Sequence, residues 1–124
     1  MPKINSKQKG NRGEREAAKY LKDLGFNARR TAQYNGRDGE CGDVVLEDSG
    51  LTIEVKRTKW DSMDRGELDE WLEQMREEGS ICILWRPDGK KWRLGYVSEN
   101  GMCWVVGDWR HKGVILKLIE ERKF

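Results

Sequence analysis

The sequence contains few of the residue types that many metal-binding or nucleophilic enzyme sites require. It has one histidine, His111, and three cysteines, Cys41, Cys82 and Cys103, which form no C-x-x-C pair. Zinc ligation and disulfide bridges therefore have little support, and nothing near His111 suggests a catalytic triad. Unpaired cysteines of this kind are typical of a reducing cytoplasm, which is the expected compartment.

Long apolar runs are also missing from the sequence. No stretch reaches the roughly 18 consecutive apolar residues that a membrane-spanning helix requires. The first residues do not have the pattern of a signal peptide. We therefore expect a protein that neither enters a membrane nor is secreted.

The 124 residues are enough for one domain with a modest core. Charged residues make up 37% of the chain, a composition that by itself would suggest disorder. Six tryptophans and several periodic segments predict a folded protein instead. Residues 1–9 are polar and are predicted to form a flexible basic arm, and residues 10–124 a single domain.

Charge is distributed unevenly along the chain. Residues 1–30 carry nine basic and three acidic side chains, whereas residues 61–79 carry two basic and eight acidic ones. A basic segment of this kind is typical of a nucleic-acid binder, and the acidic segment is expected to face away from phosphate. The basic cluster consists of Lys7, Lys9, Arg12 and Arg15.

Apolar periodicity and turn residues predict helices mixed with short strands. The predicted segments are helix 12–24, strand 26–30, strands 44–46 and 51–56, helix 65–78, strand 81–85, strands 92–97 and 102–106, and segment 114–119, where periodicity allows a strand or a helix.

The two strands 44–46 and 51–56 are predicted to pair as a hairpin that brings charged residues together. Successive strand side chains point to opposite faces, so Glu54 and Lys56 share one face. If the connecting loop has an even number of residues, Asp43 joins them; a loop of four residues places it opposite Glu54, and a loop of two opposite Lys56. The apolar pattern favours an even loop, although an odd loop with a bulge fits the sequence as well.

Two carboxylates and a lysine on one face can support hydrolysis of a phosphodiester. Neighbouring carboxylates repel each other unless a cation lies between them, and oxygen ligands suit Mg²⁺ or Mn²⁺. A cation there lowers the pKa of a water molecule and polarises a phosphoryl oxygen, and Lys56 adds a positive charge beside the phosphate. The simpler alternative is that Glu54 and Lys56 are solvent-facing strand residues and Asp43 a turn residue.

Glu14 is a third candidate acid, on the first predicted helix. It lies three residues before Ala17 and seven before Leu21, so it shares their core-facing stripe. Acids on a buried stripe are uncommon unless they are paired or bind a cation. The alternative is a first-turn acid stabilised by the helix dipole.

Four motifs occur in the order of a known enzyme family. They are Lys9–Glu16 (KGNRGERE), Gly25-Phe26 with Arg29-Arg30, Gly42–Val45 (GDVV) and Ile53–Lys56 (IEVK). The ordered set resembles the archaeal-type Holliday-junction resolvases and their phage relatives, of the PD-(D/E)XK nuclease superfamily. The resemblance implies an α/β (α+β) fold with a restriction-endonuclease-like αβββαβ core, in which helices flank a central mixed sheet.

The same resemblance implies roles for individual residues. Asp43 and Glu54 match the direct metal ligands of the family, and the backbone carbonyl of Val55 matches a further ligand. Glu14 matches an acid that helps to hold the metal, often through a water molecule. Lys56 matches the catalytic lysine. Gln74 resembles a glutamine often seen in the family. The positions that match DNA contacts are Lys9, Arg12, Arg15, Arg29 and Arg30.

The loop Thr31–Cys41 differs from that of the archaeal enzymes. It lacks their Ser/Gly-rich sequence and carries Gln33 and Arg37, which we assign to DNA contact because this loop approaches the scissile strand in relatives. Gly42 also replaces the proline of the motif, a position where proline is commonly missing.

The expected function is therefore a Mg²⁺-dependent DNA endonuclease, with Mn²⁺ able to substitute. The resemblance implies resolution of four-way junctions by a homodimer, in the cytoplasm of a prokaryote or of a phage-infected host, with no small-molecule substrate. Trp92 and Trp109 are candidate anchors of the dimer. The alternatives are a flap or duplex-nicking nuclease of the same superfamily and a catalytically inactive DNA-binding module.

Overall fold

The computed structural model describes residues 6–31 and 43–122, with side chains described for 12–31 and 43–122. The elements are α1 (Ser6–Asp23), β1 (Ala28–Arg30), β2 (Val44–Leu46), β3 (Leu51–Thr58), α2 (Arg65–Glu78), β4 (Cys82–Pro87), β5 (Arg93–Ser98), β6 (Gly101–Val105), a short 3₁₀ helix (Asp108–Arg110) and α3 (His111–Arg122).

The described strands form one six-stranded sheet in the order β1-β2-β3-β4-β5-β6. β3 and β4 run parallel, and every other neighbouring pair is antiparallel. The parallel pair needs a crossover, which α2 provides. The predicted mixed sheet with flanking helices is thus confirmed.

The β2–β3 hairpin has the register that the apolar pattern favours. Leu46 pairs with Leu51 and Val44 with Ile53, so the connecting loop is the four-residue Glu47–Gly50. Gly50 has a φ of 75°, a left-handed conformation that glycine adopts without strain. The pairing ends at Val44 and Ile53, so the predicted pairing of Asp43 with Glu54 is not formed.

Helices cover both faces of the sheet. On one face, α1 and α3 contribute Ala17, Leu21 and Ile115 to a core that includes Val44 and Ile53. On the other face, α2 packs through an apolar cluster of Trp71, Met75, Ile83 and Trp85. The site residues of β3 lie on this second face, beneath α2.

Helix α1 begins at Ser6, earlier than the predicted residue 12, so residues 6–9 of the predicted arm are helical. Residues 1–5 lie outside the described part of the chain. The end of α1 matches the prediction: Gly25 has a φ of 105°, its amide donates to the Lys22 carbonyl, and the Phe26 amide donates to that of Leu21. This is a Schellman cap, which requires a left-handed residue at the position of Gly25.

The structure revises one expectation for the last third of the chain and decides one alternative that the sequence left open. Trp92 is only 5% exposed and lies in the core beside α1, so it is unsuited to anchor a dimer. Segment 114–119, which periodicity left open, lies within α3. None of the described helices is long and apolar enough to cross a lipid bilayer.

Candidate active site

Asp43 lies beside β3 at the open end of the β2–β3 hairpin. Val44 and Ile53 are the last pair of the hairpin on the side away from its turn. Farther along β3, the Val55 amide donates to Asp43 Oδ2 at 2.8 Å instead of to a carbonyl of β2. The Asp43 amide donates to the Ile53 carbonyl at 3.2 Å. These two bonds fix the Asp43 carboxylate beside the stretch of β3 that carries Glu54, Val55 and Lys56.

Glu54 is fully buried, with 0% of its surface exposed. Ser80 Oγ donates to Glu54 Oε1 at 3.4 Å, whereas Glu54 Oε2 has no hydrogen-bond partner among the described residues. A buried carboxylate oxygen without a partner is costly, because it has lost its water and gained nothing in return. This oxygen therefore requires an explanation, and a bound cation is the simplest.

Lys56 extends from the same face of β3 toward α2. Its Nζ donates to Gln74 Oε1 at 2.5 Å and lies 5.9 Å from the ring centroid of Trp71. Burial lowers the pKa of Lys56 below its ordinary value, while the negative charges of Asp43 and Glu70 act in the opposite direction. Gln74 thus contacts the candidate lysine directly.

Glu14 reaches the site from α1. Its Oε2 accepts from Arg30 Nη2 at 3.4 Å. Burial, followed by repulsion from Asp43, raises the pKa of Glu14, and Arg30 opposes that rise. Burial likewise raises the pKa of Asp43, against the bond from Val55 and the charge of Lys56. The repulsion between Glu14 and Asp43 means that α1 and the hairpin bring two acids near one another.

The site has carboxylate oxygens, which are suitable ligands for a divalent cation. Within the described ranges no group of three or more acidic, histidine or cysteine side chains is placed so that it could hold a metal ion. Mg²⁺, however, is usually held by one or two carboxylates, with water and substrate phosphate completing its shell. The orphaned oxygen of Glu54 and the raised pKa of Asp43 are both features that a cation between them would relieve. We conclude that the residues present fit such a cation.

The basic residues predicted to contact DNA divide into three groups. Arg12 and Arg15 are exposed on α1. Arg29 pairs with Glu47, and Arg30 with Glu14, so both also have partners within the fold. Gln33 and Arg37, with most of the Thr31–Cys41 loop, lie outside the described residues, as does the side chain of Lys9.

Some residues of the site were not found from the sequence. Thr52 and Ser80 are buried beside Glu54, and their hydroxyls lie 3.0 Å apart. Thr52 could have been noticed, because it lies two residues before Glu54 and so shares its face of β3. Ser80 could not, because its contact depends on how β4 pairs with β3.

The protein family that the sequence matches is one of nucleases. The sequence matches a family model described as "Phage putative PDDEXK endonuclease" over residues 5–87, more than half of the chain. Among solved structures, the chain is similar to Hjc from Archaeoglobus fulgidus, a Holliday junction resolvase from an archaeal hyperthermophile. The identity is 23%, the match covers 86% of this chain and 98% of that one, and the TM-score is 0.48. The comparison with curated proteins gives no match.

Proposed function

Because the chain belongs to the family of phage PDDEXK endonucleases, we propose that it is a Mg²⁺-dependent DNA endonuclease that resolves four-way junctions by paired nicks. Nuclease chemistry follows from the family. The preference for a junction is supported by the ordered motifs that the sequence shares with the archaeal-type resolvases. Mn²⁺ is expected to substitute for Mg²⁺, because both take oxygen ligands.

One observation carries the assignment of the site. Glu54 is completely buried beneath α2, yet its Oε2 has no partner among the described residues, and the Asp43 carboxylate accepts from the amide of the next residue, Val55. A buried carboxylate oxygen without a partner is costly, and a cation bound to Glu54 and Asp43 would offset that cost. The alternative of solvent-facing strand residues does not account for a glutamate that is 0% exposed.

Each residue of the site then has a separate role. Asp43, Glu54 and the backbone carbonyl of Val55 would hold the cation, and Glu14 would contribute through a water molecule. A divalent cation held there would act as a Lewis acid toward the phosphoryl oxygens and lower the pKa of the attacking water. Lys56 places its ammonium beside the attacked phosphate, where developing negative charge needs a nearby donor.

Gln74 orients Lys56 for that role. The ammonium group has three donors, and one of them is used by Gln74 Oε1 at 2.5 Å. The ring of Trp71 limits the ammonium on another side. Lys56 is therefore held by α2 rather than free to rotate.

Basic side chains near this site would bind the DNA backbone. Arg12 and Arg15 are exposed on α1, the helix that carries Glu14. Guanidinium groups bind phosphate oxygens well because their donors match the phosphate geometry. The proposed DNA contacts are Lys9, Arg12, Arg15, Arg29, Arg30, Gln33 and Arg37.

We further propose that two copies of the chain act together. One metal site cuts one strand at a time, whereas resolving a junction requires two symmetry-related cuts, which a two-fold dimer supplies. Trp109, with 82% of its surface exposed, is the remaining candidate anchor for that dimer.

The experiment that tests this function compares three DNA substrates in Mg²⁺: a four-way junction, a flap and a linear duplex, all sharing one arm sequence. We expect paired, symmetric nicks in the junction at a rate at least about tenfold above the other two, a difference of about 1.4 kcal/mol in the activation free energy. Faster cutting of the flap or the duplex would replace junction resolution with the alternative nuclease function. No cutting of any substrate in Mg²⁺ or Mn²⁺ would contradict the enzyme assignment itself.

A further inference from the structure

Ser80 lies between the two polar side chains that β3 buries beneath α2. Its Oγ is 3.0 Å from Thr52 Oγ1 and 3.4 Å from Glu54 Oε1. Ser80 is 1% exposed, Thr52 8% and Glu54 0%, so water cannot replace any of these contacts freely. The three side chains form a short polar row beside the apolar cluster of Trp71, Met75, Ile83 and Trp85.

The backbone on both sides of Ser80 is fixed. Gly79 ends α2 in a left-handed conformation with a φ of 69°, and the Ser80 amide then donates to the Met75 carbonyl at 3.0 Å. The next amide, that of Ile81, donates to the Thr52 carbonyl at 2.9 Å. The cap of α2 and the start of the β3–β4 pairing therefore determine where the Ser80 hydroxyl lies.

The hydrogens of this row can be assigned by counting donors. A glutamate carboxylate only accepts, so the contact between Ser80 Oγ and Glu54 Oε1 uses the single hydrogen of Ser80. The hydrogen between the two hydroxyls must then come from Thr52. The row runs in one direction, from Thr52 to Ser80 to Glu54, and it ends on one oxygen of the carboxylate.

We propose that Ser80, supported by Thr52, is a positioning residue that holds Glu54 Oε1 and thereby presents Glu54 Oε2 to the bound cation. The inference rests on the proposed function, because it concerns the same carboxylate. The inference depends on a difference between the two carboxylate oxygens of Glu54: Oε1 accepts from Ser80, whereas Oε2 has no partner among the described residues. The 3.4 Å contact is long, and hydrogen bonds of incomplete active sites commonly shorten when the site is filled.

The test measures Mn²⁺ binding directly, by calorimetry or electron paramagnetic resonance, on the full chain without DNA. Partners that orient a metal ligand change affinity by roughly 10–100-fold when they are removed. Ser80→Ala is therefore expected to weaken Mn²⁺ binding by at least about tenfold. In cleavage assays the same variant should lower kcat while the KM for DNA stays unchanged.

Two further variants separate the effect of the Thr52 hydroxyl from the effect of the shape of its side chain. Thr52→Val keeps the shape but removes the hydroxyl, and we expect Mn²⁺ affinity to fall. Thr52→Ser keeps the hydroxyl, and we expect affinity close to that of the wild type. This pair also decides the matter if Ser80→Ala does not fold. Ser98→Ala, which removes a hydroxyl of the β5–β6 hairpin, is the control for a general loss of polar contacts.

The outcomes distinguish this inference from the proposed function. Glu54→Gln should abolish Mn²⁺ binding; if it binds Mn²⁺ as the wild type does, or if the wild type binds none, the proposed site is wrong. If Glu54→Gln loses binding while Ser80→Ala and Thr52→Val bind as tightly as the wild type, only the positioning role is overturned. A lower melting temperature with unchanged Mn²⁺ affinity would likewise make Ser80 a purely structural residue.

Discussion

At the scale of single residues, the acidic side chains of the proposed site lower the free energy of unfolding of the metal-free protein. Burial raises the pKa of Asp43, and burial together with Asp43 raises that of Glu14. Each raised pKa means that the charged form is less stable in the folded protein than in the unfolded chain. Glu54 adds an unpaired oxygen to the same region. Without a cation, these acids weaken the fold at neutral pH.

We predict that Asp43→Asn raises the melting temperature of the metal-free protein at neutral pH. Because the folded pKa of Asp43 lies above its unfolded value, its carboxylate lowers stability as pH rises through that window, and the loss is complete above it. The benefit of Asp43→Asn should therefore shrink as the pH is lowered. The amide oxygen of asparagine can still accept from the Val55 amide.

The control for this prediction is Asp48→Asn, which changes an exposed acid of the hairpin loop. Thermal unfolding of both variants is measured without metal and with Mn²⁺. We expect Mn²⁺ to stabilise the wild type and the Asp48 variant but not the Asp43 variant. An Asp43 variant that melts below the wild type without metal would show that the carboxylate stabilises the fold.

Strand alternation predicted that Glu54 and Lys56 share one face of β3, and their pairing with Ile83 and Trp85 on the face covered by α2 confirms that placement. The predicted even loop of the hairpin is present, because Leu46 pairs with Leu51. The sequence did not predict the contact of Lys56 with Gln74 or that of Glu54 with Ser80. They depend on how α2 lies on the sheet, which local patterns do not encode.

At the scale of secondary-structure elements, α1 approaches β3 closely at Gly13. A Cβ added there would lie 2.5 Å from Arg57 Cγ. Arg57 has little freedom to move, because it pairs with Glu16 and Asp88 and donates to the Arg86 carbonyl at 2.6 Å. Gly13 therefore sets the distance between α1, which carries Glu14, and the strand that carries Glu54.

We predict that Gly13→Ala destabilises the protein by about 1–3 kcal/mol, the usual cost of overpacking. The matched control is Gly113→Ala in α3, where an added Cβ meets nothing within 4 Å. That change should stabilise the fold by up to about 1 kcal/mol, because alanine favours a helix over glycine. Urea unfolding measures both; stabilisation by Gly13→Ala would mean that α1 is free to shift.

A second contact between elements joins α1 to α3. Tyr20 Oη lies 2.6 Å from Nδ1 of the fully buried His111, whose Nε2 lies 2.7 Å from the Val105 carbonyl. A carbonyl only accepts, so Nε2 carries a hydrogen, and in the tautomer with a bare Nδ1 the Tyr20 hydroxyl donates to that nitrogen. Burial, followed by the charge of Asp108, raises the pKa of Tyr20 to about 12.

This contact predicts a loss of stability at alkaline pH. The folded pKa of Tyr20 is about 12 against an ordinary value of 10.0, so its contribution is complete below pH 10 and is lost as pH rises toward 12. Tyr20→Phe should unfold more easily at neutral pH but lose less stability over the alkaline range. Tyr96→Phe keeps Tyr20 and should behave as the wild type does over that range. Equal alkaline losses in all three proteins would remove Tyr20 as the cause.

Local signals also explain which element boundaries the sequence predicted. The bounds of α2 were predicted correctly because Asp64 caps its start and Gly79 its end. The start of α1 was placed too late, since residues 6–11 lack apolar residues at helical spacing and so carry no periodic signal. α3 stayed undecided because the apolar segment 114–119 is short, and Leu116 interrupts the helical spacing of its other apolar residues.

At the scale of the whole molecule, the proposed dimer needs a surface away from the active site. Trp109 is 82% exposed in the 3₁₀ helix, and Val106 is 64% exposed close by in the chain. Tryptophan at an interface commonly contributes much of the binding energy. The active site, by contrast, is built from α1, the β2–β3 hairpin and α2, which leaves it open to DNA in such a dimer.

We predict that Trp109→Ala weakens the dimer by about 2 kcal/mol or more, the loss typical of an interface hot spot. The matched control is Trp60→Ala, which removes a tryptophan that is 68% exposed in the segment after β3. Light scattering at micromolar concentration should give twice the 14.5 kDa chain mass for the wild type and the control. A wild type that scatters as a monomer and nicks junctions singly would contradict the dimer.

The central claim is that Asp43 and Glu54 hold a divalent cation on which DNA cleavage by this protein depends. The most direct measurement follows cleavage and binding of one labelled four-way junction by the wild type, Asp43→Asn and Glu54→Gln, with and without Mg²⁺. We predict Mg²⁺-dependent cleavage by the wild type only, with at least about a 10³-fold loss in either variant, or about 4 kcal/mol. DNA binding should be retained or tighter, because each variant removes a negative charge facing phosphate. Near-normal cleavage by either variant, in a protein with an unchanged circular dichroism spectrum, would contradict the account.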